Sequence, residues 1–281
     1  MIDLHTHSTS SDGLDSPFTV VKKALSAGIT ILGLTDHDTT SGWSEAVSAL
    51  QPQMKLVLGA EISCLTEDNI SVHMLGLLFD GEHQEMQQLL ADSRDSRIPR
   101  MRAMVELLQK AGYDITLDDV YAASPDRATL GRPHLADALV KKGIVPDRSA
   151  AFDNLLHNDS EFYVSHIAPT PVETITMIKA AGGVAVIAHP FASRRGQTLR
   201  ADSFADLVTA GLDGIEVHHR DHNPEEQKIL TDIAHELDLS ITGSSDYHGA
   251  GKMNQLGENT THPKEWELLE SKASARRVVT V

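Results

Sequence analysis

The sequence predicts an α/β fold built on a parallel sheet, open or closed into a barrel. Three observations carry this: seven short apolar runs, capped helical stretches between them, and metal-ligand residue types where the runs end. Short runs rich in Val, Ile and Leu suit strands buried on both faces. Their alternation with helices suits parallel pairing.

In chain order the strand-like runs are Met1–Leu4, Thr30–Thr35, Lys55–Ile62, Val72–Phe79, Val184–Ala188, Gly214–Val217 and Leu239–Gly243. Helices between them are punctuated. Thr170-Pro171-Val172-Glu173 is a capping box with proline at the first helical position, and that helix should stop at Gly182-Gly183. Asn223-Pro224-Glu225-Glu226 repeats the start signal. One stretch breaks the alternation. From Gly81 to Phe162 there is no convincing strand, while Met86, Leu89 and Leu90, then Met101, Met104, Val105 and Leu108, recur at helical spacing. Leu135–Val140 also reads as helix. Residues 1–80 and 163–281 are therefore expected to form the main domain, with 81–162 as a helical insertion.

The chain has 281 residues, 41% of them hydrophobic, enough to bury a full core. No apolar run approaches the roughly 20 residues of a membrane span. The start MIDLHTHS has neither a basic nor an apolar leader region, and the single cysteine, Cys64, fits a reducing compartment; a cytoplasmic location is expected. A net charge of −16 argues against a basic surface for duplex nucleic acid. A small phosphorylated substrate remains compatible if metal ions supply local positive charge.

Fifteen histidines are the unusual feature, and their positions are informative. The first run ends in His5-Thr6-His7; residues i and i+2 on an extended chain share a face, so both rings can reach one ion. Asp12 follows in the next loop. Later ends are Thr35-Asp36-His37-Asp38, Gly59-Ala60-Glu61, Ala188-His189-Pro190, Glu216-Val217-His218-His219 and Ser245-Asp246-Tyr247-His248, and the fourth run carries His73. In barrels of this kind active-site groups sit at the C-terminal ends of strands. So many buried ionisable groups would be costly without cations. A histidine and carboxylate set lacking thiolate suits Mn²⁺, Zn²⁺ or Fe²⁺ better than Mg²⁺ alone. Asp36 reads as a carboxylate orienting an imidazole or as a loop cap, Asp38 as a helix N-cap or a site residue. One of His218 and His219 could face the site. His83, His157, His166, His222, His235 and His262 receive no role.

These motifs, His5-x-His7, Asp12, Thr35-Asp36-His37-Asp38, Glu61, His73, His189-Pro190 and Asp246-x-His248, resemble those of the PHP (polymerase and histidinol phosphatase) superfamily across nearly the whole chain. The resemblance implies a distorted seven-stranded β/α barrel, a trinuclear centre and up to three divalent ions, with Mn²⁺ favoured. One ion would take His5, His7, Glu61 and Asp246; a second Glu61, His73 and His189; a third Asp12, His37 and His248. Metals a few ångströms apart can activate a water and stabilise both oxygens of an in-line displacement at phosphorus, so phosphate-ester hydrolysis is expected.

Gly131-Arg132-Pro133-His134 opens a helix, where arginine and a helix N-terminus both suit phosphate. With Leu135–Val140 it resembles the stand-alone PHP phosphoesterases that hydrolyse nucleoside 3′,5′-bisphosphates and trim short RNA from the 5′ end. That resemblance implies phosphate contacts from Arg132, His134 and one of Arg194 and Arg195. The general acid stays open between His134, a metal-bound water and Asp246. The alternatives are a histidinol-phosphate phosphatase, a polymerase proofreading module and a non-catalytic metal-stabilised binding domain.

Overall fold

The computed structural model describes residues 1–124, 129–165, 167–193 and 196–281. Seven strands form one sheet in sequence order: β1 (Ile2–Asp3), β2 (Ile31–Leu34), β3 (Lys55–Leu65), β4 (Ser71–Leu77), β5 (Val184–Ala188), β6 (Gly214–His218) and β7 (Ser240–Gly243). A parallel bridge between Thr6 and Tyr247 brings the two edges together, giving a nearly closed, distorted barrel. All seven expected strands are present.

The sheet is not wholly parallel, as the alternation had suggested. β1, β2 and β3 run parallel, as do β5, β6 and β7, but β4 is antiparallel to both its neighbours. Only residues 66–70 join β3 to β4. A parallel crossover needs a dozen residues or more, so the pair must form a hairpin. This reversal carries His73, near the start of β4, to the rim where the parallel strands finish. Glu61 is likewise not at a strand end: β2 pairs with β3 only as far as Leu58, and β3 runs on to Leu65 against β4.

Around the sheet lie α1 (Pro17–Ser26), α2 (Trp43–Ala49), α7 (Pro171–Ala180), α8 (Phe204–Ala210), α9 (Pro224–Glu236) and α10 (Pro263–Lys272). The two expected capping boxes start α7 and α9. Among the described residues of 81–162 there is no strand; α3 (Gln84–Lys110), α4 (Leu117–Ala123), α5 (Arg132–Lys141), α6 (Arg148–Ala151) and a π-turn at Phe152–Leu156 follow one another. Helix α3 serves two cores. Its Met86 and Leu90 join the main barrel core, with Leu34, Phe79 and Ile187, whereas Met101, Met104, Val105 and Leu108 pack with Leu135, Leu139 and Leu156 in a separate cluster. Ser93 and Arg97 lie buried between these stretches. No helix of the described residues is long and apolar enough to cross a membrane.

Candidate metal centre

The rim brings nine of the expected residues together. His5, His7, Glu61 and Asp246 each place a ligand atom within 4.8 Å of the others, as do His7, Asp12, His37 and His248, and also His37, Glu61 and His73. His189 Nε2 lies 3.0 Å from Glu61 Oε1, and His73 Nδ1 lies 2.7 Å from the same oxygen. Glu61 Oε2 in turn is 3.2 Å from His5 Nε2 and 3.1 Å from His7 Nε2. One carboxylate therefore faces two groups of rings, one with each oxygen. Asp38, His189 and Asp246 all have positive φ, 51°, 31° and 52°. Such strain in non-glycine residues persists where surrounding contacts over-determine it, and it gathers at functional sites.

The hydrogen bonds fix which nitrogens are bare. His248 Nδ1 lies 2.7 Å from the Asp246 carbonyl oxygen, which only accepts, so Nδ1 carries the proton. Burial pushes the His248 pKa down to about 4, so its Nε2 carries none at neutral pH. That bare nitrogen faces Asp12 Oδ1 at 3.2 Å, buried and with no hydrogen-bond partner. Asp12 is held well below the usual carboxylate range against its own burial, by positive charge among the rings of His248, His37 and His7 that surround it. Of these three only His7 is held charged, at about 9, by Asp246 and Glu61 against its own burial. A lone pair opposed to an anion in a buried place is repulsive unless a cation lies between them. His37 also meets a carboxylate. Its burial lowers its pKa, and its Nδ1 is buried, unpartnered and 3.2 Å from Glu61 Oε2. The donor set fits divalent ions held by nitrogen and oxygen.

Glu216 and His219 complete the rim. Glu216 Oε1 takes the Nδ1 proton of His5 at 3.0 Å, and Oε2 accepts from the backbone N–H of His189 at 2.9 Å. It thereby directs His5 Nε2 inward, the carboxylate–imidazole arrangement that orients metal ligands. A bulge between Glu216 and His218 breaks the two-residue alternation. His218 is consequently exposed and His219 buried beside Asp246. His219 Nδ1 accepts from the N–H of Asp221, so Nε2 bears the hydrogen; it lies 3.4 Å from Asp246 Oδ2, buried and without a hydrogen-bond partner. Lys252 Nζ reaches the same oxygen at 3.1 Å. Oδ1 of Asp246 faces His5 and His7, at 3.5 and 3.3 Å, with His248 Nδ1 at 3.4 Å.

Asp36 binds no imidazole directly. It accepts from the N–H and hydroxyl of Ser8 and from the Ser11 hydroxyl, and so holds the loop between His7 and Asp12. Asp38 caps no helix: α2 has Gly42 at its N-cap, and Asp38 is bonded to Ser63 and Arg97. Of the histidines given no role, His83 and His262 cap α3 and α10, and buried His222 accepts from the N–H of Phe191. His166 lies outside the described residues.

The start of α5 is docked on this rim. Thr129 N–H donates to the carbonyl of Ser10, in the loop that ends in Asp12. His134 is buried; its Nδ1 accepts from the N–H of Gly131, and burial lowers its pKa. Arg132 donates through Nη1 to the Leu156 carbonyl and Asn158 Oδ1, with Phe152 and Tyr163 against its guanidinium. Arg194 and Arg195 lie outside the described residues.

A family model described as the PHP domain matches residues 3–168. A 5′-3′ exoribonuclease of Haemophilus influenzae is 36% identical over 92% of this chain and 93% of its own length. A 3′,5′-nucleoside bisphosphate phosphatase of Chromobacterium violaceum is 32% identical over 96% of this chain and 97% of its own. A crystal structure from Bifidobacterium adolescentis, described as a metal-dependent phosphoesterase, superposes with a TM-score of 0.91 at 39% identity, covering 97% of this chain and 96% of that one.

Proposed function

This chain belongs to the PHP domain family, and we propose that it is a metal-dependent phosphoesterase that removes the 3′-phosphate of nucleoside 3′,5′-bisphosphates. The observation that carries the metal dependence is the bare, buried His248 Nε2 opposed to Asp12. The ions would be held by His5, His7, Asp12, His37, Glu61, His73, His189, Asp246 and His248, and Mn²⁺ suits that donor set. Bound there, they would supply Lewis acidity and an activated water. Around them, Glu216 orients His5, while Lys252 binds Oδ2 of Asp246 and leaves Oδ1 to the ligand side.

Arg132 and His134 are proposed as phosphate contacts, with Arg194 or Arg195 as a third. His134 has Nδ1 engaged as an acceptor and is held neutral by burial, so its Nε2–H is a hydrogen-bond donor. That suits it to bind a phosphate oxygen and makes it a poor general acid, because a neutral imidazole surrenders its proton only with difficulty. Residues 81–162 would form an insertion that covers the rim and provides room for a second phosphate. The Haemophilus relative supports a second activity, 5′-to-3′ trimming of short RNA, at the same centre.

The test is phosphate release by Mn²⁺-loaded protein from adenosine 3′,5′-bisphosphate, AMP and histidinol phosphate, side by side. Strong preference for the bisphosphate is expected. Preference for histidinol phosphate would reject the two-phosphate pocket while sparing the metal centre.

A further inference from the structure

We propose that Arg97 is a positioning residue for the metal centre, fixing the loops that carry His37 and Glu61 to the start of α5 through one buried guanidinium. Each of its nitrogens is used. Nε and Nη2 donate to Asp38 Oδ2 at 3.0 and 2.5 Å, Nη2 also donates to the Ser63 hydroxyl at 2.7 Å, and Nη1 donates to the Leu130 carbonyl at 3.1 Å. Asp38 follows His37 directly. Ser63 stands two residues after Glu61 on β3, on the same face of the strand. Leu130 precedes Gly131, whose N–H holds His134. Three segments distant in sequence thus meet on one planar group.

Asp38 is bound on every side. Besides Arg97, its carboxylate accepts from the N–H of Ser63 at 2.8 Å and the Ser63 hydroxyl at 3.1 Å. Its N–H donates to the Glu61 carbonyl at 3.0 Å, and Arg94 Nη1 donates to its own carbonyl at 2.5 Å. These contacts hold a non-glycine residue at φ 51° and so fix the backbone on which His37 is carried. A salt bridge serving stability alone would need only the carboxylate. Here the guanidinium also binds a hydroxyl beside Glu61 and a carbonyl beside the phosphate-binding helix, and its own helix α3 spans both cores. Metal affinity and substrate affinity are therefore coupled through Arg97.

Arg97→Lys keeps the charge but loses the fork, since one ammonium cannot serve Asp38, Ser63 and Leu130 in these directions. The inference rests on the proposed function, its metal part on the metal centre and its KM part on the phosphate contacts proposed at α5. Metal-free wild-type and R97K proteins would be titrated with Co²⁺, reading its visible absorption, with thermal melts alongside. Arg97 acts one step removed from the ligands, so its loss should cost about tenfold in metal affinity, the lower end of the range for losing a hydrogen bond to a ligand itself. R97K is expected to fold, to weaken its last-binding Co²⁺ by about that factor and to show an altered absorption band. With Mn²⁺ it should also raise KM for the bisphosphate. Should R97K not fold, Ser63→Ala removes only the shared hydroxyl, and a smaller weakening of the same Co²⁺ step is expected. A wild-type Co²⁺ titration in folded R97K, or in S63A where that is the variant used, would overturn the inference whatever the kinetics. A wild-type chain that binds no Co²⁺ would sink the metal centre and this inference together. Normal Co²⁺ binding without bisphosphate turnover counts against the substrate alone.

Discussion

At the barrel rim His248 Nε2 looks at Asp12 with no proton between them, and the buried His37 Nδ1 lies 3.2 Å from Glu61 without a hydrogen-bond partner. In the helical segment, Arg148 binds Asp137 through Nε and Nη2, each at 2.5 Å, and where that segment meets the barrel Arg97 binds Asp38. Both regions bury charge. At the rim the acceptors outnumber what their neighbours can donate, whereas in and beneath the helical segment cation and anion meet in matched geometry. The difference separates charge that calls for a cation from charge that completes itself. It predicts opposite consequences of substitution, loss of chemistry at the rim and loss of stability at the Arg148 pair, with Arg97 between them because its guanidinium also reaches the rim loops.

The largest effect should come from Asp246→Asn. The amide keeps the shape but has one acceptor oxygen and no charge. Turnover should fall on the order of a thousandfold, about 4 kcal/mol of transition-state stabilisation. The melting temperature of the metal-free protein should change much less than turnover. A variant with near wild-type turnover would show that the rim is not where the chemistry occurs.

Next comes removal of metal, which turns the rim into a pH-sensitive element. His7 has a folded pKa of about 9 against 6.5 unfolded, so it contributes stability in full below pH 6.5 and loses it as pH rises through about 9. His248, at about 4, lies on the other side. Its stability is present above pH 6.5 and lost as pH falls through about 4. Each window is worth about 3 kcal/mol. Chelated protein should therefore melt highest near pH 6.5 and lower at pH 9, while Mn²⁺ should abolish the alkaline loss by replacing the His7 proton. A melting temperature in chelator that is flat from pH 6.5 to 9 would contradict this account of the rim.

This contrast was partly legible in the sequence. Period and punctuation revealed the seven strands, because buried strands must be apolar and helices must be capped. The hairpin of β3 and β4 was visible in the short gap between their runs, but the alternation of strands and helices elsewhere argued for parallel pairing. At the rim, residue type and strand position pointed to a cluster, and the resemblance to the PHP motifs singled out nine of its histidines and carboxylates. What was hidden depended on geometry that no local pattern encodes. The bulge after Glu216 exchanged the inward roles of His218 and His219. Arg97 reads as one more charge on a helix, because its partners Asp38 and Leu130 are remote in sequence and belong to loops.

The smallest effect tests the self-completing side. Asp137→Ala leaves the Arg148 guanidinium, only 13% exposed, without its bidentate partner. Its Nη1 already lacks a partner and packs against Gly251, where an added Cβ would come within 2.2 Å of it. The lost pair should cost about 2 kcal/mol, below the range for fully buried pairs because Asp137 is partly solvated. Denaturant melts would read this directly. Arg148 presses on the loop that presents Lys252 to Asp246, so some rise in KM is expected, but Co²⁺ affinity should stay at the wild-type value, since no rim ligand has changed. A tenfold weaker Co²⁺ site in folded D137A would mean that the helical segment supports the metal centre over its whole surface and not through Arg97, and the division between the two regions would have to be redrawn.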